Sequence, residues 1–158
     1  MEKIYSVAVD GPSGAGKSSL AKAIAAELHI LYVDTGAIYR TIGCYARRQG
    51  VDAADTKAVI ALLQQVKIEM RYDGQGLQHM LLHGEDVTQE IRLPEMSLYA
   101  SAVSAIPEVR SFLLEMQRDF ARRSSVIMDG RDIGTVVLPH ANVKIFLQAV
   151  NSCVSPLA

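Results

Sequence analysis

The spacing of hydrophobic positions changes along this chain, and each change marks a predicted element. Residues 4–9 form a short, β-branched apolar run that ends in Asp10-Gly11-Pro12, which is typical of a buried strand entering a tight turn. Beyond this turn, apolar residues recur at four-residue steps, as on the buried stripe of a helix: Leu20, Ile24 and Leu28. The chain is therefore predicted to open with a strand, a glycine-rich loop and a helix.

Strand and helix patterns continue to alternate in the rest of the chain. Residues 31–34 predict a second buried strand, and helices are predicted over residues 37–49 and 55–66. Pro94 and Pro107 each suit the first turn of a helix. The helix after Pro107 has one apolar stripe, formed by Val109, Leu113, Met116 and Phe120. Two more buried strands are predicted, at residues 125–128 and 143–147.

A segment in the middle of the chain has a different character. Residues 67–72 alternate polar and apolar side chains, Asp73-Gly74 signals a turn, and residues 78–82 follow as a second strand. This pattern predicts a small antiparallel hairpin with one solvated face. Residues 51–100 also hold eight acidic and four basic side chains. We predict an inserted lobe, about residues 37–104, between two segments of an α/β core, residues 1–36 and 105–150.

Composition limits the range of possible partners. The 158 residues suit a single domain, and 16 basic against 17 acidic side chains leave a net charge of −1, which argues against a nucleic-acid partner. Cys44 and Cys153 show no metal-binding spacing. We expect no signal peptide, and no apolar run in the sequence is long enough to span a bilayer. We expect a cytoplasmic monomer with no membrane partner.

The loop between the first strand and the first helix carries the strongest motif. Residues 11–18 satisfy G-x-x-x-x-G-K-[ST] in the strand-to-helix context that this phosphate-binding motif requires. Its main-chain N–H groups would surround the phosphates of ATP, Lys17 would bridge the β and γ phosphates, and Ser18 would bind Mg²⁺. The predicted ATP-binding residues are Gly11, Pro12, Ser13, Gly14, Ala15, Gly16, Lys17, Ser18 and Ser19. The predicted fold is a P-loop NTPase-type doubly wound parallel sheet with helices on both faces.

Two polar segments follow predicted strands and should meet at the carboxyl edge of this sheet, where open α/β sheets bind ligands. Residues 34–40 place Thr35, Tyr39 and Arg40 there. Residues 129–132 follow another strand, so that Asp129 stands where a carboxylate would hold Mg²⁺ and Arg131 can reach a transferring phosphoryl group.

These motifs together resemble those of the bacterial cytidylate kinases, which transfer the γ-phosphoryl of ATP to CMP or dCMP. The resemblance runs in order from residue 4 to about 147, and rests on residues 11–18, 34–40, 84–92, 109–110 and 129–137. It implies that Arg40 and Arg131 hold the acceptor phosphate. It also implies that Ser101, Arg110 and Asp132 recognise cytosine. The catalytic set expected from motif and resemblance together is Lys17, Arg40, Asp129 and Arg131.

The end of the sequence departs from that family. No arginine follows Arg131, and residues 148–158 carry no charge, whereas such kinases continue into an arginine-rich lid and a further strand. We therefore expect that lid and last strand to be absent, and the 158-residue chain to bind nucleotide with little turnover. Two alternatives remain open at this stage: a kinase of another small metabolite, and a nucleotide-binding module without catalysis.

Overall fold

A computed structural model describes residues 2–148 of the chain, which form two sheets and five α-helices. The strands are β1 Ser6–Asp10, β2 Leu31–Asp34, β3 Ile68–Tyr72, β4 Gln78–Leu82, β5 Glu85–Asp86, β6 Val126–Gly130 and β7 Val143–Phe146. The helices are α1 Lys17–Leu28, α2 Thr35–Arg48, α3 Thr56–Leu63, α4 Glu95–Ser104 and α5 Pro107–Arg123. A 3₁₀ turn at Glu90–Arg92 and a π-helical turn at Ile133–Val137 complete the described structure.

The larger sheet is parallel throughout, with the strand order β2-β6-β1-β7. On one face, Ala21 and Ala25 of α1 pack in a cluster with the inner strands. The opposite face is covered by a larger core that includes Ile38 of α2 and Leu113 of α5. Helices therefore cover both faces of a parallel sheet, and the predicted doubly wound fold is confirmed.

The smaller sheet is antiparallel, with the order β3-β4-β5, and confirms the predicted hairpin with one short strand added. It docks on β2, the edge strand of the larger sheet. The hydroxyl of Tyr72 donates to the carbonyl of Tyr32 at 2.6 Å. The Gln78 amide pairs with the main chain of Asp34, accepting from its N–H at 2.8 Å and donating to its carbonyl at 3.2 Å. Two side chains thus satisfy edge groups of β2 that another strand would otherwise pair.

A charged cluster ties α2 to the segment after β4. Arg48 forms ion pairs with Glu85 and Glu90, and the Cys44 thiol donates to Glu90 at 3.2 Å. Burial, followed by the hydrogen bond to Glu90, raises the pKa of the Cys44 thiol to about 12. Cys44 is therefore a protonated, buried side chain with a structural role.

Three expectations about burial and length were wrong. Leu28 is 46% exposed, because α1 approaches the sheet through the small side chains of Ala21 and Ala25. The last predicted strand is largely exposed, with Phe146 at 70%, because β7 lies at the edge of the sheet. The helix predicted over residues 55–66 ends at Leu63. The boundaries of the inserted lobe stay a prediction, and residues 149–158 lie outside the described part of the chain.

We predict that Gly43→Ala destabilises the protein although it lies inside a helix, where alanine is ordinarily favoured by about 1 kcal/mol. A β-carbon at Gly43 would lie 2.8 Å from the Tyr99 β-carbon and 3.2 Å from the Tyr99 carbonyl carbon, where α2 crosses α4. Overpacking of this kind costs about 1–3 kcal/mol. Urea denaturation should therefore show a lower free energy of unfolding for this variant.

Gly74→Ala is the matched control, because a β-carbon there meets no atom within 4 Å. Its free energy of unfolding should stay within about 0.5 kcal/mol of the parent. A Gly43→Ala variant as stable as the parent would contradict the close packing of α2 on α4.

Candidate nucleotide site

The phosphate-binding loop lies between β1 and α1. Gly14 and Gly16 have φ angles of +79° and +87°, which side chains with a β-carbon rarely adopt, so glycine is required for this course of the chain. Gly16 occupies the N-cap of α1, and no side chain caps that end. The first N–H groups of α1 are therefore left for a ligand, next to the positive end of the helix dipole. The Lys17 ammonium meanwhile donates to the carbonyl of Pro12 at 3.0 Å.

A cavity of about 780 Å³ opens beside this loop, at the carboxyl edge of the parallel sheet. It brings together predicted site residues from the phosphate-binding loop, α1, α2, α4, α5, β6 and the segment after β6: Ser13, Lys17, Thr35, Tyr39, Arg40, Ser101, Arg110, Asp129, Arg131 and Asp132. The remaining predicted residues lie in the loop or at the start of α1 and do not line this cavity: Gly11, Pro12, Gly14, Ala15, Gly16, Ser18 and Ser19. Ten of the predicted residues therefore line one cavity, and their roles stay a prediction.

One of the acidic side chains that line this cavity is Asp129, near the end of β6, with 8% of its surface exposed. The Tyr32 hydroxyl donates to its carboxylate at 3.0 Å, and the Thr35 hydroxyl donates to its main-chain carbonyl at 2.7 Å. Burial, followed by the negative charge of Asp34, raises the pKa of Asp129 to about 6. The positive charge of Lys17 lowers the pKa of Asp129. The cavity therefore holds a carboxylate that would be stabilised by a further cation.

A second group in the cavity is the ion pair between Arg110 of α5 and Asp132. Arg110 also donates to the carbonyl of Ser104 at 3.1 Å, and its guanidinium lies 5.6 Å from the centre of the Tyr39 ring. These contacts fix the orientation of the Arg110 guanidinium. A hydrogen-bond donor, Arg110, and an acceptor, the Asp132 carboxylate, therefore lie side by side. Such a pair can match the edge of a nucleobase.

Arg131 connects the two halves of the cavity. Its guanidinium donates to the Ser13 hydroxyl at 2.8 Å, so a side chain from the segment after β6 contacts the phosphate-binding loop. Two cationic side chains from separate elements, Arg40 and Arg131, line the same space as Lys17. The arrangement can neutralise several phosphate charges at once.

Some residues that line the cavity are not in the predicted set of site residues. Asp34 lines the cavity and caps α2 by accepting from Ala37 N at 3.1 Å, a role that an aspartate directly before a helix can signal. This cap starts α2 at Thr35, two residues before the predicted start. Ser97 and Ser104 line the cavity at helical spacing from Ser101, so that spacing could have identified them.

The comparison with known proteins identifies the family of this chain. A family profile described as "Cytidylate kinase" matches residues 7–153, nearly the whole chain. The chain belongs to the cytidylate kinase family. The family match agrees with the resemblance based on the sequence motifs. The phosphate-binding loop is therefore that of a kinase family.

Three curated relatives, each named cytidylate kinase, align with 94% of this chain. Those from Pelotomaculum thermopropionicum, Caldicellulosiruptor bescii and Solibacter usitatus are 47%, 48% and 50% identical to it. The chain spans 66%, 65% and 62% of their respective lengths. None of the helices in residues 2–148 is long and apolar enough to cross a membrane.

We predict that Asp129→Asn stabilises the nucleotide-free protein above pH 6. With its pKa raised from 3.8 to about 6, Asp129 binds its proton more tightly in the folded than in the unfolded chain. Its contribution to the free energy of unfolding is therefore largest below about pH 4 and is lost as the pH rises through 6. Asparagine has no charge to bury and can still accept from Tyr32.

Thermal denaturation between pH 4 and pH 8 measures this effect. The gain in Tm of Asp129→Asn over the parent should grow from pH 4 to 6 and then level off. Asp119→Asn removes a half-exposed helix carboxylate that is paired with Arg123, and it should show no such gain. A gain that is the same at every pH would contradict the raised pKa of Asp129.

Proposed function

We propose that this chain carries the site at which ATP transfers its γ-phosphoryl group to CMP or dCMP, giving ADP and CDP or dCDP. The observation that carries the proposal is that Lys17 of the phosphate-binding loop and the Arg110–Asp132 pair line the same cavity. A donor-binding group and a base-recognition group thus face each other across one space. The names of the relatives, cytidylate kinases, support the same assignment.

For the donor, the main-chain N–H groups of the loop would bind the phosphates of ATP, with Lys17 on the β and γ groups. Lys17 would leave its contact with Pro12 to do so. The first turn of α1 adds partial positive charge, because its N–H groups have no side-chain cap. Phosphoryl transfer depends mainly on such positioning and neutralisation of charge.

Mg²⁺ fits this site as an ion that arrives with ATP. Residues 2–148 contain no cluster of three or more acidic, histidine or cysteine side chains that could hold a metal ion by themselves. Mg²⁺ bound with nucleotides ordinarily takes only one or two protein ligands, along with phosphate oxygens and water. Ser18 and Asp129 would hold it, and it would supply neutralising charge at the phosphates.

For the acceptor, Arg40 and Arg131 would hold the phosphate of CMP, with Thr35 and Tyr39 lining the same part of the cavity. An oxygen of that phosphate bonds to the γ-phosphorus as the bond from this phosphorus to the β–γ bridging oxygen breaks. Lys17, Arg40 and Arg131 would neutralise charge on the transferring group throughout. A phosphate acceptor that is already ionised needs no general base.

For the base, Ser101, Arg110 and Asp132 would bind the edge of cytosine. Cytosine presents an exocyclic amine donor beside a ring acceptor and a carbonyl, whereas uracil presents the reverse pattern at the first two positions. The Asp132 carboxylate would accept from the amine, and the Arg110 guanidinium would donate to an acceptor. A mismatched buried pair costs about 1–3 kcal/mol, enough for tenfold discrimination or more.

Calorimetric titration with CMP, UMP, AMP and Mg·ATP tests the proposal, together with detection of CDP by ³¹P NMR. The parent chain should bind CMP more tightly than UMP or AMP, and any transfer should give CDP and ADP in equal amounts. Equal affinities for CMP and UMP would contradict the proposed acceptor. Failure to bind ATP would contradict the proposed donor.

We predict that two single substitutions separate the halves of this site. Asp132→Asn should weaken CMP about tenfold or more without weakening UMP, because its amide can turn a donor toward uracil O4. Lys17→Ala should weaken ATP by about 1.5–3 kcal/mol, or roughly 10–150-fold, and leave CMP nearly unchanged.

Each variant is the control for the other, and far-ultraviolet circular dichroism checks that both are folded. If Asp132→Asn weakens CMP and UMP by the same factor, Asp132 does not recognise the base. If Lys17→Ala leaves ATP affinity unchanged, the donor site lies elsewhere.

A further inference from the structure

Asp10, the last residue of β1, makes a contact that the proposed chemistry does not use. Its side chain is buried, and each carboxylate oxygen accepts from a different main-chain N–H: Ile133 N–H to Oδ1 and Gly134 N–H to Oδ2, both at 2.7 Å. The partners lie 123 and 124 residues away in the sequence. They directly follow Arg131 and Asp132, two of the residues placed on the acceptor.

These N–H groups belong to the start of the π-helical turn Ile133–Val137, where N–H groups have no partner within the turn. The residue before the turn, Asp132, would ordinarily cap it with its own side chain. Asp132 makes no such cap, because its carboxylate is paired with Arg110. Asp10 thus caps the turn from another strand, and the carboxylate of Asp132 is left to face the cavity.

The packing around this contact leaves little freedom. A β-carbon at position 134 would lie 3.2 Å from Asp10 Oδ2 and 3.3 Å from Lys144 Cδ, so an alanine there would push these side chains away by a few tenths of an ångström. The far end of the turn is held separately, since Arg118 donates to the carbonyls of Val136 and Val137 at 2.8 and 3.0 Å. In the described structure, the carboxylate of Asp10 is what fixes the end next to Asp132.

We propose that Asp10 is a positioning residue for nucleobase selectivity: by capping the turn in place of Asp132, it keeps the Asp132 carboxylate directed into the cavity beside Arg110. This inference rests on the proposed function. Because Asp10 directly precedes Gly11, the same residue connects the start of the phosphate-binding loop to the acceptor segment. Asp10 itself does not line the cavity.

The test is Asp10→Asn, which keeps the shape of the side chain but turns an amide donor toward a main-chain N–H. The CMP-to-UMP affinity ratio, measured by calorimetry, should fall about fivefold or more, whereas Mg·ATP affinity should change less than twofold. In the nucleotide-free variant, the amide protons of Ile133 and Gly134 should exchange with solvent faster than in the parent. Ile127→Val, a buried β6 substitution, is the control for lost stability and should leave the ratio unchanged.

Gly134→Ala provides a second route if Asp10→Asn does not fold, because it displaces the carboxylate while keeping its charge, and the same loss of selectivity is expected. If the parent prefers CMP and its CMP-to-UMP affinity ratio is unchanged in every one of these variants that folds, the role of Asp10 in selectivity is wrong and Asp10 is only structural. The proposed function would not be affected by that result. A parent that binds CMP and UMP equally overturns the proposed function, and the inference with it.

Discussion

The parallel pairing of β1 with β6 is the constraint on which the site depends. The register pairs Ser6 with Val126 and continues to Asp10 opposite Gly130, so the two strands end side by side. The phosphate-binding loop leaves one strand end, and the segment that carries Arg131 and Asp132 leaves the other. A slip of one residue would turn every side chain of a strand to the opposite face of the sheet. The hydrogen bond from Arg131 to Ser13 and the two hydrogen bonds to Asp10 exist only because of this register.

The charges of the site are arranged for ligands that carry both cations and phosphates. Asp129 is buried near Asp34, and its raised pKa shows that the folded protein alone does not stabilise this carboxylate. Three cationic side chains, Lys17, Arg40 and Arg131, line the same cavity from three different elements. Bound Mg·ATP and a nucleoside monophosphate would bring a cation to the Asp129 carboxylate and phosphates to the three cationic side chains. Under the proposed function, the cost in folding stability at Asp129 is the consequence of a site whose ligands balance its charge.

The parts predictable from sequence were those specified by local patterns. The strand, the loop and the first helix follow from adjacent residues, because glycine spacing and apolar periodicity act within a few positions. Contacts between distant residues had no such signal: nothing near Asp10 in the chain indicates Ile133 and Gly134. Burial was mispredicted where packing partners decide it. Leu28 fits a helical stripe yet is exposed, and Phe146 belongs to an apolar strand that lies at the edge of the sheet.

The proposed function requires that donor and acceptor bind together in one cavity beside the ends of β1 and β6. The most direct test is calorimetric competition with a bisubstrate analogue, adenosine joined to cytidine through five phosphates. Occupying two subsites with one molecule raises affinity through effective concentration. We expect one analogue to bind per chain, at least 100-fold tighter than CMP, and to abolish the binding of both CMP and ATP. An analogue that displaces only one of the two nucleotides would contradict the account.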